Sequence, residues 1–68
     1  MRIFVIQMYQ DGQPDGPPIR EVEATTAAVA IRRVCAEDLT EKGPLRLIRA
    51  EVWPQDNPKQ RWRFFLRS

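Results

Sequence analysis

The 68-residue chain contains one cysteine, Cys35, and no histidine, so neither an intrachain disulfide nor any zinc pattern that needs His can hold it together. That is the tightest constraint on its fold. Below ~70–80 residues a single core seldom supplies more than ~3–5 kcal/mol, and natural domains of this size usually add a disulfide, a metal or a partner chain. Surface scaling puts the area hidden on folding at about 60% of what the unfolded chain exposes. The free energy must therefore come from side-chain packing or from association. Hydrophobic residues make up 43% of the chain and charged residues 29%, proportions typical of a globular domain. One domain covering residues 1–68 is expected.

The pattern reads as strands, then a helix, then strands. Residues 2–10 are rich in β-branched and aromatic types and apolar on both parities at their start, as in a central strand. Residues 11–18 contain two Asp-Gly pairs and three prolines, the chemistry of a loop or long hairpin tip. Residues 19–24 resume alternation and are expected to pair with the first strand. Thr25 or Thr26 then offers an N-cap. Ala27, Ala30, Ile31, Val34, Cys35 and Leu39 recur at helical spacing, which predicts an amphipathic helix of about four turns ended by Lys42-Gly43-Pro44. On its outer face Arg33 and Glu37 stand four apart and can pair. Residues 45–53 and 59–67 read as two more strands around a turn at 54–58. The expected fold is α+β, an antiparallel four-stranded sheet in β-β-α-β-β order with one helix packed on one face.

One helix can cover only one face of such a sheet. If Ile48, Ala50, Val52, Trp62, Phe64 and Leu66 meet the helix, the other face carries Arg49, Trp53, Arg61, Arg63, Phe65 and Arg67. Charge is organised the same way. Residues 1–41 hold four arginines against seven acids, a balance of −3, whereas residues 42–68 hold seven cations against Glu51 and Asp56, a balance of +5. A basic C-terminal hairpin mixed with aromatics suits an acidic partner. The expected partner-binding residues are Arg49, Trp53, Arg61, Arg63, Phe65 and Arg67, with Arg46 and Lys59 at the rim. Replacing Arg61 and Arg63 together with alanine should weaken partner binding and leave the fold intact.

Little in the chain suits catalysis. His, the usual acid–base group near neutral pH, is absent, and the one serine is Ser68. Cys35 lies on the apolar stripe, where a structural thiol is expected. Glu21 and Glu23 read as the solvated side of an edge strand. Glu37, Asp38 and Glu41 lack the ligand spacing of a cation loop, and the three glycines form no phosphate loop. No enzyme activity, cofactor or metal site is expected. No apolar run reaches the length of a membrane span, and Met1–Gln7 is too short for a secretory core. With one unpaired cysteine, the expected location is the cytoplasm, that of the host cell if the protein is phage-encoded.

The β-β-α-β-β order and the passage Val22-Glu23-Ala24-Thr25-Thr26-Ala27-Ala28-Val29-Ala30-Ile31 from strand to helix resemble small phage-encoded anti-CRISPR proteins. That resemblance covers nearly the whole chain and implies a non-enzymatic inhibitor that docks on a CRISPR effector subunit and blocks or misdirects DNA binding. The basic C-terminal end points to occlusion of the effector, since nucleic-acid mimics are acidic. Two other partners suit the same face. Arginines interleaved with aromatics can hold single-stranded nucleic acid, and a second copy of the chain can cover the uncovered sheet face as a homodimer.

Overall fold

The computed structural model describes residues 1–67. Among them are six strands, one α-helix and one 3-10 turn: β1 (Arg2–Gln10), β2 (Gln13–Pro14), β3 (Ile19–Ala24), α1 (Ala27–Val34), β4 (Leu39–Thr40), the turn Leu45–Leu47, β5 (Ile48–Pro54) and β6 (Trp62–Leu66). All pairings are antiparallel. The sheet runs β2-β1-β5-β6-β4, with β3 also on β1. The α+β class and the four expected strands are present, and two short strands extend the sheet beyond the expected four.

Both extra strands come from segments with the sequence character of loop or helix. Asp11 and Gly12 have φ of 53° and 76°, positive at both central positions as a two-residue hairpin turn requires. That turn sends Gln13 and Pro14 back along Gln10 and Tyr9. The loop is then pinned by Asp15, whose N–H donates to Met8 O at 2.9 Å, and by the Gln7 amide, which donates to Gly16 O at 3.0 Å.

The helix is half the expected length. Thr26 caps it, its side chain accepting from the Val29 N–H at 3.2 Å, and Ala27, Ala30 and Ile31 are buried. It ends at Val34, with Cys35 extended at φ −142°, ψ 122°. Continuation through Glu37, Asp38 and Glu41 would place three acids at the helix's negative end, an unfavourable arrangement. Instead Leu39 and Thr40 leave the helical register and pair with Leu66 and Phe65 of β6. The segment 45–47, expected as strand, forms the 3-10 turn after Pro44.

The core lies between α1 and one face of the sheet. Phe4 and Ile6 of β1, Val22 and Ala24 of β3, Ala50 and Val52 of β5 and Phe64 of β6 pack against Ala27, Ala30 and Ile31. Four alanines in this set let the helix approach the sheet closely. Phe4 and Trp62 meet edge to face at 6.2 Å between ring centroids, a preferred aromatic geometry. The accessible surface is 4683 Å², close to the ~4,500 Å² that scaling gives a self-contained monomer of this mass. No helix among the described residues is long and apolar enough to cross a membrane.

Two bulges adjust the sheet. In β3 the register with β1 slips between Phe4 and Ile6, and Glu21 takes φ 61°, a conformation uncommon outside glycine. In β5 the register with β6 slips between Ile48 and Ala50, leaving Arg49 as the extra residue. That second bulge reorganises the charged face.

Candidate basic interface

The face opposite the helix is not the open surface that one helix on one sheet suggests. Val5, Ile48 and Phe65 there are 1%, 7% and 5% exposed. Phe65 lies under the loop that follows β4: a Cβ added to Gly43 would stand 3.0 Å from Phe65 Cβ, so any larger residue there would have to push the ring aside by a few tenths of an ångström. Phe65 was expected in the interface and instead belongs to the interior. Trp53 is half-buried, and the Arg61 guanidinium lies 4.2 Å from its ring centroid, a cation–π contact that caps the ring.

Glu51 organises the centre of this face. It pairs with Gln7 on one side and Arg63 on the other, and it is 8% exposed. Arg61 Nη1 donates to Oε1 at 2.7 Å and Arg63 Nε to Oε2 at 3.1 Å. Both oxygens are thus taken by charge-assisted bonds, the condition for burying a carboxylate without a large penalty. Arg61 also donates through Nε to Pro58 O at 2.9 Å, tying β6 to the preceding turn. Arg61 and Arg63, proposed from sequence as free binding groups, are therefore also structural ones.

Two expected members turn away altogether. Arg49, displaced by the bulge, donates through Nε to Glu37 Oε1 at 2.7 Å and through Nη1 to Tyr9 O at 2.8 Å. The second bond satisfies a carbonyl just past Met8–Ala50, the last β1–β5 pair. The Arg49 guanidinium beside Glu37 holds that carboxyl below the ordinary glutamate range, with Cys35 contributing a weaker hydrogen bond to the same group. Arg67, past the end of β6, pairs with Asp38 at 2.8 Å. The expected Arg33–Glu37 pair does not form, since Glu37 has left the helix for Arg49. The acidic segment 37–38 thus absorbs two of the seven cations of the basic half.

What remains is a shallow, open concavity of about 700 Å³ beside β6, lined by Glu41, Lys42, Gly43, Lys59, Arg61, Arg63 and Phe65. Lys42 and Lys59 make no ion pair among the described residues, nor does Arg46, exposed on the 3-10 turn. With Arg61 and Arg63 shared by one carboxylate, the four cations exceed Glu41 and Glu51 by two charges. Lys42 was not among the residues singled out from sequence. Its signal was its place just before Gly43, whose fit against Phe65 brings the 41–43 loop to β6.

Comparison of the chain with models of known protein families, with curated proteins and with solved structures found no match.

Proposed function

We propose that the protein is a small non-enzymatic binding module that docks an acidic protein surface into the basic concavity beside β6. The observation that carries this reading is the convergence of Lys42, Lys59, Arg61 and Arg63 on one hollow, with Arg61 and Arg63 fixed by Glu51 so that little side-chain freedom is lost on binding. Burial of Phe65 and capping of Trp53 remove the flat aromatic surfaces on which unpaired bases would stack, which favours a protein partner over single-stranded nucleic acid. In the inhibitor role implied by the sequence resemblance, the acidic surface belongs to a CRISPR effector subunit, and docking there blocks or misdirects DNA binding.

The test uses charge reversal at positions that hold nothing in the fold. Lys42→Glu with Lys59→Glu should leave the melting temperature within about a degree or two, as surface substitutions do, and should weaken binding of a polyglutamate peptide about tenfold or more, the effect of long-range charge complementarity. Unchanged affinity would remove the concavity from consideration. Tighter binding of oligothymidylate than of polyglutamate at equal salt would replace the protein partner with nucleic acid.

A further inference from the structure

The outer edge of β6 is only partly paired. β5 covers one side of Trp62–Phe65, but on the other side β4 reaches only Phe65 and Leu66. No hydrogen bond from outside the sheet reaches the backbone of Trp62, Arg63 or Phe64 among the described residues. An edge with free N–H and C=O groups is a template for another strand.

Two hollows flank this edge and share Glu41. On one side is the basic concavity with Arg61 and Arg63 on its wall. On the helix side is a second concavity of about 640 Å³, with Ile31, Leu39 and Phe64 at its floor and a polar rim that includes Arg32, Glu37 and Asp38. A strand added between them would send alternate side chains into each. One set meets arginine and lysine, and the other meets the apolar floor of Ile31, Leu39 and Phe64 inside its polar rim.

We propose that β6 binds an extended segment of a partner protein by strand addition, and that the segment alternates acidic with apolar residues. The proposal rests on the acidic-partner reading and adds to it a binding mode and a sequence pattern. Main-chain hydrogen bonds to Trp62–Phe64 supply attachment, and the alternating side chains supply selectivity. A second copy of this chain suits the edge poorly. Two β6 strands pairing about a twofold would set their Arg61 and Arg63 rows against each other, and like charges directly opposed are destabilising. The other edge, β3, carries Glu23 but is kinked by the bulge at Glu21, a device that discourages edge pairing.

The experiment uses an alternating Glu-Val peptide, a block peptide of the same composition, and two N-methylated forms of the alternating peptide, each methylated at one set of alternate residues. Alternate residues of a strand direct their N–H groups to opposite sides. One methylated form should therefore lose binding about tenfold or more, and the other should bind within about twofold of the parent, since only one set faces β6. The block peptide should bind about tenfold more weakly than the alternating one, and amide exchange should slow, when the alternating peptide is present, at those N–H groups of Trp62–Phe64 that point away from β5. Equal binding of both methylated forms, or of block and alternating peptides, would overturn strand addition while leaving the acidic-partner reading in place. Failure of all acidic peptides, polyglutamate included, would overturn both. Concentration-dependent oligomers of the protein alone, dispersed by Glu23→Lys, would show the edge to be filled by a second copy and would also overturn the proposal.

Discussion

The two faces of the sheet are closed by different physics. The helix face is sealed by hydrocarbon: Phe4, Ile6, Ala50 and Val52 are at most 1% exposed and pack against three buried residues of α1. The opposite face is sealed by a carboxylate held between two arginines, by a guanidinium laid over Trp53, and by Gly43 against Phe65. The first arrangement is insensitive to small changes in charge, and the second depends on it. A 68-residue chain with one short helix cannot cover both faces with secondary structure. Its second face uses loops and ion pairs instead, and Lys42 and Lys59 are left without an ion pair among the described residues.

The sharpest way to break this contrast is to damage each face separately. Phe4→Ala removes a ring that is 1% exposed and in edge contact with Trp62. Such a truncation costs about 3–5 kcal/mol, comparable to the whole stability of a domain this size. Urea titration followed by tryptophan fluorescence should find the variant largely unfolded without denaturant. A native baseline equal to the parent's would mean that the helix face does not carry the fold.

The second face should respond more mildly and in a distinctive pattern. Replacing Arg61 and Arg63 with alanine leaves Glu51 buried without its two donors. Loss of partners for a buried charge costs about 3–5 kcal/mol when the pair is deep, but here the arginines are 43% and 57% exposed. Solvent screening brings the expected loss to about 1–3 kcal/mol. Adding Glu51→Leu to that double variant should recover much of the loss, because the uncompensated charge is gone. An unaltered denaturation midpoint in the double variant, or no recovery in the triple, would show that the Glu51 clamp is not what closes this face. The same result bears on binding studies. Arg61→Ala with Arg63→Ala confounds partner affinity with stability, which is why Lys42 and Lys59 are the cleaner positions to reverse.

Residue pattern alone carried the elements that are governed by periodicity. The alternation of β1, β3, β5 and β6, the Thr26 cap and the inward set Ala27, Ala30 and Ile31 all follow from local preference. The helix end did not. Val34, Cys35 and Leu39 continue the 3.6-residue stripe, yet Leu39 is taken by the edge of β6 and Glu37 by Arg49, partners that are distant in sequence. The face assignment of Ile48, expected against the helix but paired with Phe65 on the opposite face, and the expected freedom of Arg49 failed for a related reason: strict period-two counting breaks at a bulge, and the slip between Ile48 and Ala50 has no local signature. Phe65 was placed on the correct face. Its burial was invisible because the covering Gly43 loop read as a helix terminator, with no hint that it folds back over the sheet. Alternation places Glu51 on the face it occupies, but its clamp role is not legible locally, since it needs the cross-strand register that seats Arg63 beside it.

The smallest effect separates this clamp from the exposed pair at the bulge. Arg49 lowers the Glu37 carboxyl, so the folded state binds that proton less readily than the unfolded chain does. The pair's contribution is complete above the unfolded glutamate range and is lost as the pH falls through the lowered folded value. Glu37 is substantially exposed, at 45% of its side chain, so screening limits the contribution to a few tenths of a kcal/mol, ~0.5 at most. Glu37→Gln should therefore lower stability slightly at neutral pH and bring the parent and variant curves together at the acid end. Urea midpoints measured from neutral pH down through the carboxylate range would show this convergence. Curves that stay parallel throughout would mean that Arg49 is held at the bulge by Tyr9 O alone, leaving Glu37 without energetic weight in the turn from α1 to β4.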